Sequence, residues 1–249
     1  MTTKIIGTGS YLPEYVVTND DLAKLVDTSD EWIASRTGIR NRRIATNESG
    51  VDMAAAAAEE ALKDAGMDGS EIDLILVATC SSDFQFPSTA CLVQKAIHAT
   101  NAAAFDLSAA CSGFLFALHT AHAYICAGIY KNILLVGVEV LSKLIDWNDR
   151  STCVLFGDGA GAAVVTAADH GMEGFVQWSD GVSGEVLTCP GRKIENPWKE
   201  NDSETEYIQM NGQEVFRFAV KNGPGMYPTG NRKDRNSDRN NRLVNSSSG

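Results

Sequence analysis

One cysteine occupies a position suited to nucleophilic chemistry. In residues 104–118 (AFDLSAACSGFLFAL) a predicted strand ends at Leu107, and Cys111 begins a predicted helix. Free N–H groups and positive potential at a helix N-terminus lower a thiol pKa, and one N–H can bind the oxyanion of an attacked thioester. Small neighbours leave room for a carbonyl group. Cys111 is therefore the candidate nucleophile, the alternative being a buried, inert thiol, which is our interpretation of the other five cysteines.

No base accompanies this nucleophile in the sequence. A catalytic thiolate usually works with a base or a charged partner. His122 lies eleven residues past Cys111, on almost the same helical face, yet about 16 Å along the helix axis. His119 is similarly distant, and no motif surrounds His98 or His170.

A glycine-rich stretch, residues 156–165 (FGDGAGAAVV), contains the spacing G-x-G-x-x-A. We reject a dinucleotide site because Ala-Ala-Val-Val favours a strand, whereas the fingerprint needs a helix to receive the pyrophosphate. A tight glycine turn between strands is the preferred interpretation. The sequence also lacks metal-ligand spacing, so no metal site is predicted.

Alternating strands and helices must position Cys111. Apolar runs predict strands at residues 4–7, 72–79, 102–107, 133–140 and 162–166, the first ending in a glycine-rich turn. Helices are predicted at 19–26, 49–65, 87–99 and 111–127, with a mostly parallel sheet covered on both faces. Thr28 and Glu31 have capping-box spacing for a further helix, stopped by Gly38, with Trp32 and Arg36 on one face. Beyond Gly174 we predict a strand (FVQW), a turn at residues 180–181 and a helix over 213–220.

Composition narrows the class of protein. The chain has 249 residues, 44% hydrophobic and 21% charged, which excludes general disorder and a small disulfide scaffold. It shows neither an apolar run of about 18 residues nor a signal-peptide pattern. Six cysteines without a CxxC pair are expected to be free thiols in a reducing cytoplasm. A net charge of −11 argues against nucleic acid as a partner.

The last 28 residues differ from the rest. From Asn222 onward the chain carries five basic and two acidic residues and few large apolar groups, so burial cannot repay its ordering entropy. A nucleic-acid arm is disfavoured because no aromatic residues are interleaved for stacking. A disordered end and a foreign segment from a shifted reading frame both remain open, and the abrupt change of composition favours the latter.

Five ordered blocks resemble one enzyme family. They are GTGSYLPE, DTSDEWIASRTGIRNRR, FDLSAACSGF, DRSTCVLFGDGAGAAVV and MNGQEVFRFAV. Together they resemble β-ketoacyl-acyl-carrier-protein synthase III over about residues 1–221. The resemblance implies an acyltransferase with a thiolase-like layered αβαβα fold. It implies that an acyl group, usually acetyl, passes from coenzyme A to a cysteine and condenses with malonyl-acyl-carrier protein, releasing CO2, to start fatty acid synthesis. It implies a homodimer, with acyl-coenzyme A as substrate and no cofactor.

The resemblance also assigns residues by position. Cys111 would accept the acyl group, and Trp32 would stack on the adenine of coenzyme A with Arg150 on its other side. Thr28 and Arg36 would also contact the nucleotide. The remaining assignments are the acyl or pantetheine tunnel (Met210, Gly212, Phe216), the residue that closes the partner's pocket (Phe86) and the carrier-protein contact (Arg217).

The sequence departs from the family after residue 220. The family's catalytic histidine and asparagine belong to a Pro-His-Gln-Ala-Asn motif and a later glycine-rich stretch, and neither occurs in these residues. We therefore expect a complete first half (1–168), the start of a second half (169–221) that is largely missing, and a polar tail (222–249). A truncated or frameshifted synthase without condensation activity is the leading hypothesis. A non-catalytic remnant that keeps binding or dimerisation surfaces, or another thiolase-superfamily enzyme, is the alternative.

Overall fold

A computed structural model describes residues 1–191, 193, 197–198 and 206–222. The chain divides into two compact units, Met1–Met210 and Asn211–Gly249. The strands of the first unit are β1 (Thr2–Tyr11), β2 (Val16–Thr18), β3 (Asn41–Arg43), β4 (Leu74–Ala78), β5 (Ala103–Leu107), β6 (Asn132–Val140), β7 (Asp158–Ala168), β8 (Leu187–Thr188) and β9 (Gln209–Met210). Its α-helices are α1 (Asn19–Leu22), α2 (Asp30–Thr37), α3 (Gly50–Ala65), α4 (Thr89–Ala96), α5 (Gly113–Cys126) and α6 (Arg150–Cys153).

Five strands form the central sheet of the first unit, in the order β1-β7-β6-β4-β5. β4 runs parallel to β5 and β6, whereas β7 is antiparallel to β6 and β1. The predicted alternation of strands and helices is confirmed, but the sheet is mixed rather than mostly parallel. Residues 141–157, which include α6, connect β6 to β7, and β7 pairs antiparallel with the neighbouring strand on each side.

Alternate residues of the central strands face two different helical layers. Ile75 and Val77 of β4 pack in a cluster with α3 and α4, whereas Leu74 and Leu76 pack in a second cluster with α5. All five residues of β4 are buried, as the continuous apolar run predicts. The layered α/β architecture positions the turn before α5 at one edge of this sheet.

Capping residues define the helices. Ser49 caps α3 in a capping box with Asp52, and Gly66 ends the helix at φ 65°, as predicted. The predicted cap of α2 is wrong by one residue, because Ser29, not Thr28, accepts the bond from the Trp32 N–H. Gly38 ends α2 at φ 76°.

Two predictions about glycines are wrong. β1 runs through Gly7 and Gly9 instead of turning there. A Cβ on Gly9 would lie 2.3 Å from the Ala57 carbonyl oxygen. These glycines therefore allow the backbone of α3 to pack directly against β1. Gly159 and Gly161 likewise lie inside β7 rather than in a tight turn. Rejecting the dinucleotide site is consistent with this strand, since no helix follows the glycines.

The segment after β7 also departs from the prediction. Residues 175–178 (FVQW) form no strand within the described part of the chain; Phe175 instead stacks on His119 of α5, with ring centroids 3.7 Å apart. The turn at residues 180–181 forms, with the Val182 N–H donating to Asp180 Oδ1 at 3.0 Å. The helix predicted over 213–220 is present in the second unit as α7 (Gly212–Asn222). Residues 223–249 of the predicted tail lie outside the described residues, and the three-part division of the chain stays a prediction.

Candidate active site

Cys111 lines a cavity of about 200 Å³ at the carboxyl ends of β4, β5 and β6. Cys80 follows β4, Cys111 follows β5, and Glu139 lies near the end of β6. Ligand sites in open α/β sheets form at such strand ends. The opposite wall comes from β8 and the residue before β9. The lining residues are Cys80, Ala110, Cys111, Glu139, Leu141, Phe156, Leu187, Thr188, Cys189 and Ile208.

The backbone around Cys111 is that of a tight corner. Cys111 is the middle residue of a 3-10 turn, Ala110–Ser112, that leads directly into α5. Ala110 has φ 44°, a left-handed conformation that costs a non-glycine residue of the order of 1 kcal/mol. Gly113 lets α5 approach β4, because a Cβ there would lie 3.0 Å from the Cβ of Ala78. The predicted helix start is thus two residues early, and Cys111 precedes α5 instead of opening it.

The electrostatics of this corner favour an anion. Among the described residues, no side chain caps the N-terminus of α5 and no acidic residue lies in its first turn. The positive end of a 14-residue helix therefore remains uncompensated near the Cys111 sulfur. Such a terminus stabilises a thiolate and offers N–H groups to an oxyanion.

The chain's four histidines do not line this cavity in the part of the chain that the structure describes. His122 Nδ1 lies 2.9 Å from Thr3 Oγ1, and its Nε2 lies 3.5 Å from Cys126 Sγ. His119 stacks on Phe175. His122 therefore has partners on β1 and α5, and His119 has a partner in the segment after β7.

A second group of predicted residues forms around Trp32. The guanidinium of Arg36 lies 4.6 Å from the Trp32 ring centroid, and that of Arg150 lies 5.0 Å from it. Arg36 is one turn along α2, whereas Arg150 begins α6 and donates to the Asp27 carbonyl oxygen at 2.7 Å. Both arginines are exposed, and Trp32 is half-buried. Residues far apart in sequence thus provide an aromatic plate with two cations.

Thr28 adjoins this group. Its hydroxyl oxygen is buried and has no hydrogen-bond partner among the described residues. A buried hydroxyl without a partner costs about 1–3 kcal/mol, so a ligand that bonded this atom would recover stability. Trp32 and three residues of the Cys111 cavity, Leu141, Phe156 and Ile208, belong to one apolar cluster, which links the two groups through packed side chains.

The structure places the other predicted residues separately. Phe86 is 86% exposed in the loop before α4 and does not line this chain's own cavity. Met210 in β9 pairs with Leu187, a lining residue. Gly212, Phe216 and Arg217 lie on α7 in the second unit, where Phe216 is exposed and Arg217 forms an ion pair with Glu214.

Sequence reasoning missed most of the cavity wall. Cys80 was interpreted as inert, and Glu139 was not singled out. The position of both beside the carboxyl ends of predicted parallel strands was the signal that could have identified them. Leu187, Thr188, Cys189 and Ile208 carried no such signal, because they belong to a two-stranded ribbon and its flanks that the pattern did not predict.

Comparison with known proteins identifies the family. The family model for 3-oxoacyl-[acyl-carrier-protein] synthase III matches residues 105–181. The β-ketoacyl-[acyl-carrier-protein] synthase III of Clostridium acetobutylicum is 54% identical over 222 residues, covering 88% of this chain and 68% of the relative. That of Caldanaerobacter subterraneus is 50% identical, covering 87% and 67%.

Solved structures agree. The 3-oxoacyl-[acyl-carrier-protein] synthase III of Aquifex aeolicus superposes with a TM-score of 0.79 at 50% identity, covering 88% of this chain and 68% of that one. The priming β-ketosynthase of the R1128 polyketide pathway gives a TM-score of 0.81 at 38% identity, covering 89% and 66%.

The fold and the cysteine corner define a thiolase-like condensing enzyme. The chain belongs to the β-ketoacyl-acyl-carrier-protein synthase III family. By family it is an acyltransferase of fatty acid initiation, and acyl-coenzyme A is a substrate of that family, not a cofactor. The predicted resemblance is confirmed, and the alternative of a thiolase or another superfamily member is set aside.

Proposed function

We propose that these 249 residues perform the acyl-transfer half of the synthase reaction, with Cys111 as the acceptor. The Cys111 thiolate attacks the thioester carbonyl carbon of acyl-coenzyme A, and the oxyanion forms near the positive N-terminal end of α5. Collapse breaks the carbon–sulfur bond to coenzyme A, whose thiolate leaves and takes up a proton. The single observation that carries this proposal is the placement of Cys111 in a cavity at an uncapped helix terminus.

Trp32, Arg36, Arg150 and Thr28 form the proposed binding site for the nucleotide end of coenzyme A. An adenine stacked between Trp32 and Arg150 needs about 7 Å between the two outer groups, whereas the Arg150 guanidinium carbon lies 5.0 Å from the Trp32 ring centroid. Arg150 must therefore move outward on binding. Its exposure permits this, and its bond to the Asp27 carbonyl is the contact that breaks.

The 249 residues lack the motif on which the family relies for the condensation half of the reaction. The family's decarboxylation of malonyl-acyl-carrier protein relies on a histidine and an asparagine, and the Pro-His-Gln-Ala-Asn motif does not occur in the 249 residues. We infer that this polypeptide alone is acylated without sustained condensation. Met210, Gly212 and Phe216 remain the proposed tunnel residues, and Arg217 the proposed carrier-protein contact.

Incubation with acetyl-coenzyme A and peptide mapping test the acyl-transfer proposal. We expect one acetyl group on Cys111, no label in Cys111→Ser, and unchanged labelling in Cys91→Ser, which removes an exposed thiol outside the cavity. Acetyl on another cysteine, or on none in a folded sample, would contradict it. Added malonyl-acyl-carrier protein should yield no sustained acetoacetyl product.

A homodimer is the proposed assembly. β5 is an edge strand of the sheet, and Phe105 on it is 38% exposed. The loop carrying Phe86 reaches the same edge, because Asp106 accepts bonds from the Thr89 and Ala90 N–H groups just after it. An edge strand beside exposed aromatic residues suits pairing with a second copy.

The free state of all six cysteines supports a reducing cytoplasm as the place of action. The structure contains no helix that could span a membrane in the residues searched.

A further inference from the structure

Two thiols share the cavity of the proposed acyl acceptor. Cys80 and Cys111 both line it. They are close enough that charge on the Cys111 sulfur is felt at Cys80, as is charge on Cys189. Cys80 comes from the loop after β4, and Cys111 from the corner after β5, two neighbouring parallel strands.

In this arrangement the acyl group of an acyl-enzyme could transfer from Cys111 to Cys80. If Cys80 were a thiolate, its sulfur could attack the thioester carbonyl carbon of acyl-Cys111. A new carbon–sulfur bond to Cys80 would form, the bond to Cys111 would break, and Cys111 would leave as the thiolate. Charge and atoms balance without another reactant, and one thioester replaces another. The rate depends on the fraction of the attacking thiol that is ionised.

Glu139 is bound directly to the Cys80 segment. Its Oε1 accepts the Cys80 N–H at 2.9 Å, and its Oε2 accepts the Ser81 hydroxyl at 2.5 Å. The Ser81 oxygen in turn accepts the Val140 N–H at 2.8 Å. The carboxylate is thus fixed from two sides beside Cys80, in a cavity whose other walls are largely apolar.

The charges around Cys80 all oppose its ionisation. Although Cys80 is exposed, desolvation by the surrounding cavity wall raises the pKa of its thiol to about 12. The Glu139 charge is the next cause, followed by the hydrogen bond between the thiol and Glu139, and the Cys189 and Cys111 sulfurs contribute less. Lys143, from the turn after β6, contacts the Cys80 loop and donates to Asp83 Oδ1 at 3.1 Å and to the Ser82 carbonyl oxygen at 3.3 Å. Its charge is therefore largely offset.

We propose that Glu139 is a specificity-determining residue, which confines the acyl group to Cys111 by keeping a negative charge beside Cys80. This inference rests on the proposed function of Cys111. Glu139 acts through Cys80 and needs no contact with the acyl group. It sets which of two neighbouring thiols holds the thioester.

Replacing the carboxylate by its neutral amide tests the proposal. Glu139→Gln removes the charge and keeps one oxygen that can accept the Cys80 N–H, while the amide NH2 replaces the oxygen that accepts from Ser81. Glu59→Gln removes an exposed carboxylate on α3 and serves as the matched control. The first measurement is the rate of Cys80 alkylation by iodoacetamide as a function of pH. At pH 8 we expect at least about a tenfold faster reaction in Glu139→Gln, one pKa unit corresponding to a tenfold change in thiolate. Glu59→Gln should match the unsubstituted chain.

The second measurement maps acetyl groups after acetyl-coenzyme A treatment and an acid quench. The unsubstituted chain should hold acetyl on Cys111 alone, Glu139→Gln on both Cys111 and Cys80, and Glu139→Gln with Cys80→Ser on Cys111 alone. An unchanged alkylation profile in Glu139→Gln, with Cys111 normally acetylated, would overturn the inference and leave the proposed function standing. A shifted profile with no acetyl on Cys111 would overturn the proposed function, and with it the confinement of the acyl group, although Glu139 would still be shown to suppress the reactivity of Cys80.

Glu139→Gln could fail to fold, so the unsubstituted chain supplies an independent check. There, Cys80 must be alkylated far more slowly than Cys126 at every pH below about 9, although both thiols are exposed. Comparable rates for the two thiols would refute the proposed protection without any variant.

Discussion

Ala110 carries the local strain that presents Cys111. Its φ of 44° belongs to the region that glycine occupies without penalty. Ala110→Gly should relieve this strain but also enlarge the freedom of the corner in the unfolded chain, so the change in unfolding free energy should stay within about 1 kcal/mol. We expect slower acetylation of Cys111 because the sulfur is less firmly positioned. Thermal unfolding and the acetylation rate measure the two effects separately, and a faster rate would contradict this view of the corner.

Trp32 is the residue on which nucleotide recognition should depend. Trp32→Ala removes the aromatic plate, and a stacking contact of this kind contributes about 1–3 kcal/mol, so we expect about 5- to 150-fold weaker binding of coenzyme A by calorimetry. The acetylation rate at saturating acetyl-coenzyme A should change little. Leu25→Ala, an exposed apolar residue in a neighbouring loop, should bind normally. If Trp32→Ala bound coenzyme A as tightly as the unsubstituted chain, the nucleotide would have to bind elsewhere.

At the scale of secondary-structure elements, the packing of α3 against β1 requires glycine in β1. A Cβ at position 9 would lie 2.3 Å from a helix carbonyl oxygen and 2.4 Å from the Ala61 nitrogen. Both are backbone atoms that cannot rotate away. Gly9→Ala should therefore destabilise the chain by about 1–3 kcal/mol or prevent folding. Gly174→Ala, where a Cβ meets nothing within 4 Å, is the control. Denaturant unfolding distinguishes them, and equal midpoints would refute the close packing.

The cap of α3 predicts a pH effect. Hydrogen bonds from the Ser49 hydroxyl and N–H lower the pKa of Asp52 below 3.8. The folded state therefore binds this proton less readily than the unfolded state, so the stabilisation is complete above about pH 4 and is lost as pH falls through the lowered value. Asp52→Asn should flatten this acid limb of the stability curve, while stability near pH 7 falls by about 0.5–2 kcal/mol. If the acid limb of the stability curve were equally steep in Asp52→Asn, the lowered pKa of Asp52 would not be its cause.

Elements with a strong local signal were predictable from sequence. The buried run of β4, the capped helix α3 and the Cys111 corner each follow from residues adjacent in the chain. The turn wrongly predicted at Gly7 and Gly9 had a different cause. A glycine that allows close packing cannot be distinguished in the sequence from one that allows a turn unless the position of α3 is known. The pairing of Trp32 with Arg150 came from the family resemblance, because their sequence separation hides any local signal. The cavity wall around Leu187 depends on tertiary packing alone.

At the scale of the whole molecule, the edge strand β5 should control assembly. We expect a dimer in sedimentation equilibrium, and a weaker dimer for Phe105→Asp, which places a charge on the pairing edge. Leu25→Asp, an exposed apolar position outside this edge, should leave the mass unchanged. A monomer at all concentrations for the unsubstituted chain would remove the proposed homodimer, and aggregation would point instead to other exposed apolar positions such as Leu115 on α5, 57% exposed.

The small β8–β9 ribbon has a consequence for how such enzymes diversify. It forms one side of the cavity that Cys111 lines, through Leu187 and its flanks, yet it stands apart from the central sheet. The Ile208 N–H, just before β9, donates to the Leu144 carbonyl oxygen at 2.9 Å, which fixes the ribbon to the segment after β6. Side chains there can grow or shrink while the strands beneath the nucleophile stay as they are. New chain-length preferences can therefore arise by exchanging a few ribbon residues, at little risk to the stability of the scaffold.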